Sequence, residues 1–75
     1  MIQPTPAGWE RLEAPGRLYP VVFVREIEGL CYRIAPDTGG GWTVDVYNLL
    51  GWEPAGDLRN APTPEAAAAA LLGGR

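Results

Sequence analysis

The chain contains no lysine, no histidine and no serine, and Cys31 is its single cysteine. These absences remove most catalytic chemistry. There is no Ser-His or Cys-His pair to activate a nucleophile and no amine for a Schiff base. Cys31 has no base close in sequence to hold it as a thiolate, so it reads as a structural strand residue. One cysteine cannot form an internal disulfide, which excludes a secreted disulfide scaffold. Zinc would lack ligands, and Asp37, Asp45 and Asp57 follow no calcium-loop spacing. The expectation is a chain that is not an enzyme and holds no metal and no cofactor.

Positive charge is scarce as well. All 6 basic residues are arginines, set against 9 acids, for a net charge of -3 and a pI near 4.6. Arg11, Arg17, Arg25, Arg33, Arg59 and Arg75 are spread along the chain rather than clustered. Nucleic-acid affinity comes largely from neutralising phosphates, so this balance disfavours a nucleic-acid partner. Long apolar runs are missing too. No stretch approaches the roughly 20 residues of a membrane span, and MIQPTPAGWERL has neither the basic nor the apolar region of a secretory leader. The expected setting is cytoplasmic, with no membrane association. Abundant Ala, Gly, Pro and Arg without Lys is the composition of GC-rich coding, as in an actinobacterium or one of its phages.

What is present is enough for one small domain. The 75 residues are 47% hydrophobic and 20% charged, ordinary values for a folded protein. A chain this short buries only about 60% of its unfolded surface, so its stability is thin. The 10 glycines and 8 prolines cluster at the ends and between apolar runs, where they act as turn punctuation.

Residues 1–8 read as a flexible, Pro-rich lead to a single domain over 9–73. Thr5 and Pro6 suit the cap and first position of a short helix, and a short edge strand over Trp9–Glu13 fits equally well. The β-branched and aromatic run from Val21 predicts a strand, and Glu28-Gly29 a tight turn. Leu30–Ala35 alternates as a half-buried strand should. PDTGGG is a flexible turn. Trp42–Leu49 is a third strand, with Trp42, Val44 and Val46 on one face. Residues 51–62 read as an irregular connection carrying Trp52 and Leu58. In TPEAAAAALLGG, Thr63 is a good cap, Pro64 fits the first helical position and Gly73 stops the helix. A helix this short must dock to be stable. The expected fold is therefore α+β: a small three-stranded antiparallel meander with one C-terminal helix packed on one face (β-β-β-α).

Matching apolar faces sets the register. Ile27 should face Leu30, Arg25 face Tyr32 and Phe23 face Ile34. In the second hairpin Ile34 should face Val44, and Tyr32 face Val46. The face with Phe23, Ile34 and Val44 then belongs under the helix, with Trp42 in that core. The other face carries Val22, Val24, Arg33 and Tyr47, with Arg33 opposite Asp45 as an exposed, weak ion pair. Slipping one residue would turn a whole strand over.

Two resemblances bear on function. Asp37-Thr38-Gly39 resembles the signature of retroviral-type aspartic proteases, in which two such carboxylates share a proton. Here Pro36 precedes it, two further glycines lead directly into Trp42, and no later apolar-apolar-Gly element follows. A Gly-rich hairpin turn opened by Asp explains it more simply. The β-β-β-α order with Trp42-Thr43-Val44 and a helix starting at Thr63 is similar to arm-type DNA-binding domains of phage integrases, which would imply a sheet in the major groove. Glu26 and Asp45 among the sheet residues, with only Arg25 and Arg33 beside them, oppose that role.

What remains is protein binding. The expected function is a non-enzymatic interaction module, of the kind that phages and mobile elements encode to modulate or inhibit a host protein. Its open sheet face would bind a protein partner through Val22, Val24, Arg33, Tyr47 and Trp52, since aromatic and Arg side chains dominate such interfaces. Two alternatives are an acidic nucleic-acid mimic of the anti-restriction or anti-CRISPR type, presenting Glu10, Glu13, Glu26, Glu28, Asp45 and Glu53, and a self-associating structural protein such as a capsid decoration protein. The sheet face would be unavailable if the N-terminal segment with Trp9 lay over Val22 and Val24.

Overall fold

The computed structural model describes residues 5–13, 21–37, 39–56 and 60–73. Five strands, β1 (Glu10–Glu13), β2 (Val21–Ile27), β3 (Leu30–Pro36), β4 (Trp42–Asn48) and β5 (Gly51–Pro54), precede one helix, α1 (Pro64–Gly73). The strands form one sheet in the order β1-β2-β3-β4-β5, each antiparallel to its neighbour. The α+β class is as expected, but the three-stranded meander is not: it is the centre of a five-stranded sheet, with a short strand added at each edge. No helix among the described residues is long and apolar enough to cross a membrane.

The three central strands pair in the expected registers. Phe23 faces Ile34, Arg25 faces Tyr32 and Ile27 faces Leu30, while Tyr32 faces Val46 and Ile34 faces Val44. The apolar pattern dictates this, because any one-residue slip would expose Phe23 or Ile34. Glu28 occupies the tight turn at φ 53, a left-handed conformation that Asn or Gly adopts at less cost.

Of the two edge strands, β1 is the edge-strand alternative expected over Trp9–Glu13, and β5 corrects the irregular connection expected over 51–62. Pro6 to Trp9 is a turn rather than a helix, closed by Trp9 N–H donating to Pro6 O at 3.1 Å. The chain then runs as β1 beside β2, with Arg11 opposite Phe23 and Leu12 opposite Val22. Of the Pro-rich lead, residues 1–4 lie outside the described residues. At the other edge, Trp52 and Pro54 return along β4, opposite Tyr47 and Asp45. Only four residues long and bounded by Gly51 and Pro54, this strand looks like loop in sequence; an edge strand tolerates the proline that a central one would reject. Leu58, expected in the same connection, lies outside the described residues.

The core lies between the sheet and α1. Phe23, Ile34 and Val44 are fully buried, joined by Trp9, Tyr32, Ala67, Ala68 and Leu71. The helix contributes Pro64, Ala67, Ala68 and Leu71, the i, i+3, i+4, i+7 stripe of one helix face. Its alanines let the backbone approach the sheet closely. Thr63 caps it, its Oγ1 accepting from Ala66 N–H at 3.0 Å. Trp42 packs against this core, its ring 5.9 Å from that of Phe23. The strand also binds the chain entering α1, through paired backbone bonds between Trp42 and Ala61 of 2.8 and 2.9 Å.

Candidate interaction face

The face away from α1 is built by strand alternation. It carries Leu12 from β1, Val22 and Val24 from β2, Arg33 and Ala35 from β3, Asp45 and Tyr47 from β4, and Trp52 and Pro54 from β5. All five residues expected to bind a partner therefore share one face. Three of them form a cluster. Arg33 Nη2 donates to Asp45 Oδ2 at 2.7 Å. The Arg33 guanidinium carbon lies 4.4 Å from the centre of the Trp52 ring. Tyr47 meets the same indole edge-on, with ring centres 5.2 Å apart.

Each contact follows from the register. Arg33 and Asp45 are direct cross-strand partners, as are Tyr47 and Trp52, and opposite residues on a sheet face are close enough for their side chains to interact. Arg33 reaches diagonally over β4 to the indole. The Arg33–Asp45 pair is thereby better shielded than an exposed pair, with side chains only 19% and 13% accessible. A charged hydrogen bond in such a setting contributes more than a surface ion pair. Alternation does not foretell this shielding, because β5, which brings Trp52 to the arginine, is four residues long and reads as loop in the sequence.

Val24 sits opposite Arg33 and Val22 two positions further along the same strand face; both are half-buried. Trp9 is not above them. Its side chain belongs to the core on the helix side, so the covering of the valines by Trp9 does not occur. Tyr47 and Trp52 remain exposed, at 52% and 38%. Cys31 is exposed on the same face, opposite Glu26.

The other sequence motifs resolve locally. Asp37 organises the β3–β4 loop: its N–H donates to Gly41 O at 2.9 Å and its carbonyl accepts from Gly40 N–H at 3.0 Å. Asp37 Oδ1 accepts from Gly39 N–H at 3.1 Å, and Oδ2 accepts from the Asn60 amide, which also donates to Gly40 O, both at 3.1 Å. Both carboxylate oxygens are thus engaged in closing the loop, as a turn residue requires. The acids considered for mimicry do not form one stripe. Glu10 and Glu26 lie on the face away from α1, Glu13 and Glu53 alternate to the helix side, and Asp45 is paired with Arg33. Of the two arginines considered for DNA contact, Arg33 is held by Asp45, and Arg25 alternates to the helix side. Among the described residues no three Cys, Asp or Glu side chains converge as a metal site would need.

One feature of this region escaped the sequence reading. The β4–β5 turn holds Leu49 and Leu50, which are 102% and 92% exposed. Its signature was present as Asn48-x-x-Gly51. Asn48 Oδ1 accepts from Leu50 N–H at 2.8 Å, and Gly51 takes φ 114 after the turn, as in hairpins closed by a glycine bulge. Comparisons with protein-family models, with curated proteins and with solved structures gave no significant match, so the geometry alone carries the functional reading.

Proposed function

We propose that the chain is a non-enzymatic protein-interaction module that binds a partner protein through the sheet face opposite α1. The observation that carries this is the Arg33–Trp52–Tyr47 cluster, with guanidinium–ring and ring–ring contacts of 4.4 and 5.2 Å. Trp, Tyr and Arg are the residue types that most often dominate protein interfaces. Here they hold one another in place while Tyr47 and Trp52 stay exposed, so little side-chain freedom is lost on binding. Val24 extends the surface with apolar area.

The test starts with retrieval of interactors on the immobilised chain from the cells that encode it. The retrieved protein is then purified and its affinity measured. Tyr47→Ala should weaken binding by at least about tenfold, which corresponds to about 1.4 kcal/mol. Ala69→Gln, on the exposed side of α1, should bind like the wild type. Because Tyr47 touches Trp52, Tyr47→Ala is also expected to lower stability slightly, by about 0.5–1.5 kcal/mol. Tyr47→Phe, which keeps the ring, separates that effect from binding. Equal affinity of the wild type and Tyr47→Ala would overturn the reading.

A further inference from the structure

We infer that the β4–β5 turn is the anchor of this interaction, and that the partner it fits is a protein with an apolar cleft rimmed by basic side chains. The inference rests on the protein-binding reading and narrows it to one element and one partner chemistry.

Leu49 and Leu50 contribute nothing visible to the fold. They are 102% and 92% exposed. The turn is made by its flanking residues, through the Asn48 Oδ1 to Leu50 N–H bond of 2.8 Å and the positive φ of Gly51. Polar residues would serve the two tip positions at least as well. Single exposed leucines are ordinary on protein surfaces; two adjacent ones on a projecting tip are not accounted for by turn geometry or by packing.

The topology adds to the patch. In an antiparallel meander the β2–β3 and β4–β5 turns fall at the same end of the sheet. Among the described residues seven large hydrophobic side chains are exposed. Five of them, Leu30, Tyr47, Leu49, Leu50 and Trp52, lie in or next to those two turns. The apolar surface is thus a convex knob with an aromatic pair directly behind it. Such a shape is complementary to a cleft rather than to a flat surface.

The charges around the knob choose among occupants. Glu26 and Glu53 are exposed near this end, one on each side of the sheet by strand alternation. Glu28 stands in the β2–β3 turn itself; of the nearby arginines, Arg33 is bonded to Asp45, which sets Arg25 against the three acids Glu26, Glu28 and Glu53. The rim is therefore acidic, on a chain of net charge -3. Anionic lipid surfaces and a second, equally acidic tip would be repelled, whereas a Lys/Arg-rimmed cleft would be attracted.

The experiment uses the full chain and the partner purified as described above. Leu49→Ser/Leu50→Ser should weaken binding by about 100-fold while leaving the thermal midpoint unchanged, since both side chains are in water. Glu26→Lys/Glu53→Lys should weaken it by about tenfold, and wild-type affinity should fall as salt rises. A photo-crosslinking residue at position 50 should label an apolar cleft flanked by Lys or Arg. If the double Ser variant binds like the wild type while Tyr47→Ala does not, the anchor is wrong and the face reading survives. If neither variant matters, or the extract yields no interactor, both are wrong. Two parallel arms address other occupants: flotation with phosphatidylcholine and with phosphatidylcholine/phosphatidylglycerol vesicles, and sedimentation of the chain alone over a concentration series. Vesicle binding or dimerisation abolished by the double Ser variant would overturn the inference in favour of a membrane or a second copy.

Discussion

At the scale of single residues, backbone conformation explains which glycines matter. Gly41 sits at φ +75, and a Cβ there would lie 2.8 Å from the Ala61 carbonyl oxygen. The β3–β4 loop and the chain entering α1 approach closely at this point, and only glycine leaves room. Gly41→Ala should therefore cost more than about 2 kcal/mol, read as a lower urea midpoint; an unchanged midpoint would mean that the loop does not hold the Asn60–Ala61 segment. The role of PDTGGG as a turn was legible in its composition. Which glycine is indispensable was not, because the obstacle is backbone some twenty residues later. Glu28 shows the opposite case. It is an unfavoured residue for its turn and still adopts φ 53, because the apolar faces of β2 and β3 impose the register on both sides.

At the scale of elements, long alternating segments are readable, whereas β1 is legible only as one of two alternatives and β5 reads as loop. Seven residues each in β2, β3 and β4 give enough alternation to set faces and partners. The four residues of β5 do not, and it is the pairing of Trp52 with Tyr47 that fixes which face it occupies. Side-chain contacts link β3, β4 and β5, since Arg33 bonds Asp45 and lies 4.4 Å from the Trp52 ring, against which Tyr47 packs. Asp45→Asn keeps the shape but removes the counter-charge from a shielded guanidinium. It should destabilise the chain by about 2 kcal/mol, measured by chemical denaturation. A loss of only a few tenths would mean that solvent screens the pair despite its low accessibility. The helix was the most legible element of all, with Thr63 as cap, Pro64 at the first position and Gly73 at the end.

At the scale of the whole molecule, one face of the sheet is committed to α1 and the other displays an ordered aromatic and Arg cluster ending in an apolar knob. A domain this small has a narrow stability margin, so partner binding should be visible as thermal protection. A partner present at about 100 times its dissociation constant adds about 2.7 kcal/mol. For a domain of this size that raises the melting midpoint by roughly ten degrees or more. Differential scanning calorimetry of the mixture checks this, and an unshifted midpoint would mean that the partner does not prefer the folded chain. By itself the sequence determined the absences, the helix and the register of the three central strands, because composition, capping and period-two alternation act locally. Only the tertiary structure decided that Trp9 enters the core, that the Trp52 ring lies against the Arg33 guanidinium, and that Leu49 and Leu50 project into water. Those outcomes depend on edge strands too short for alternation to decide, and on pairings between segments that alternation alone cannot join.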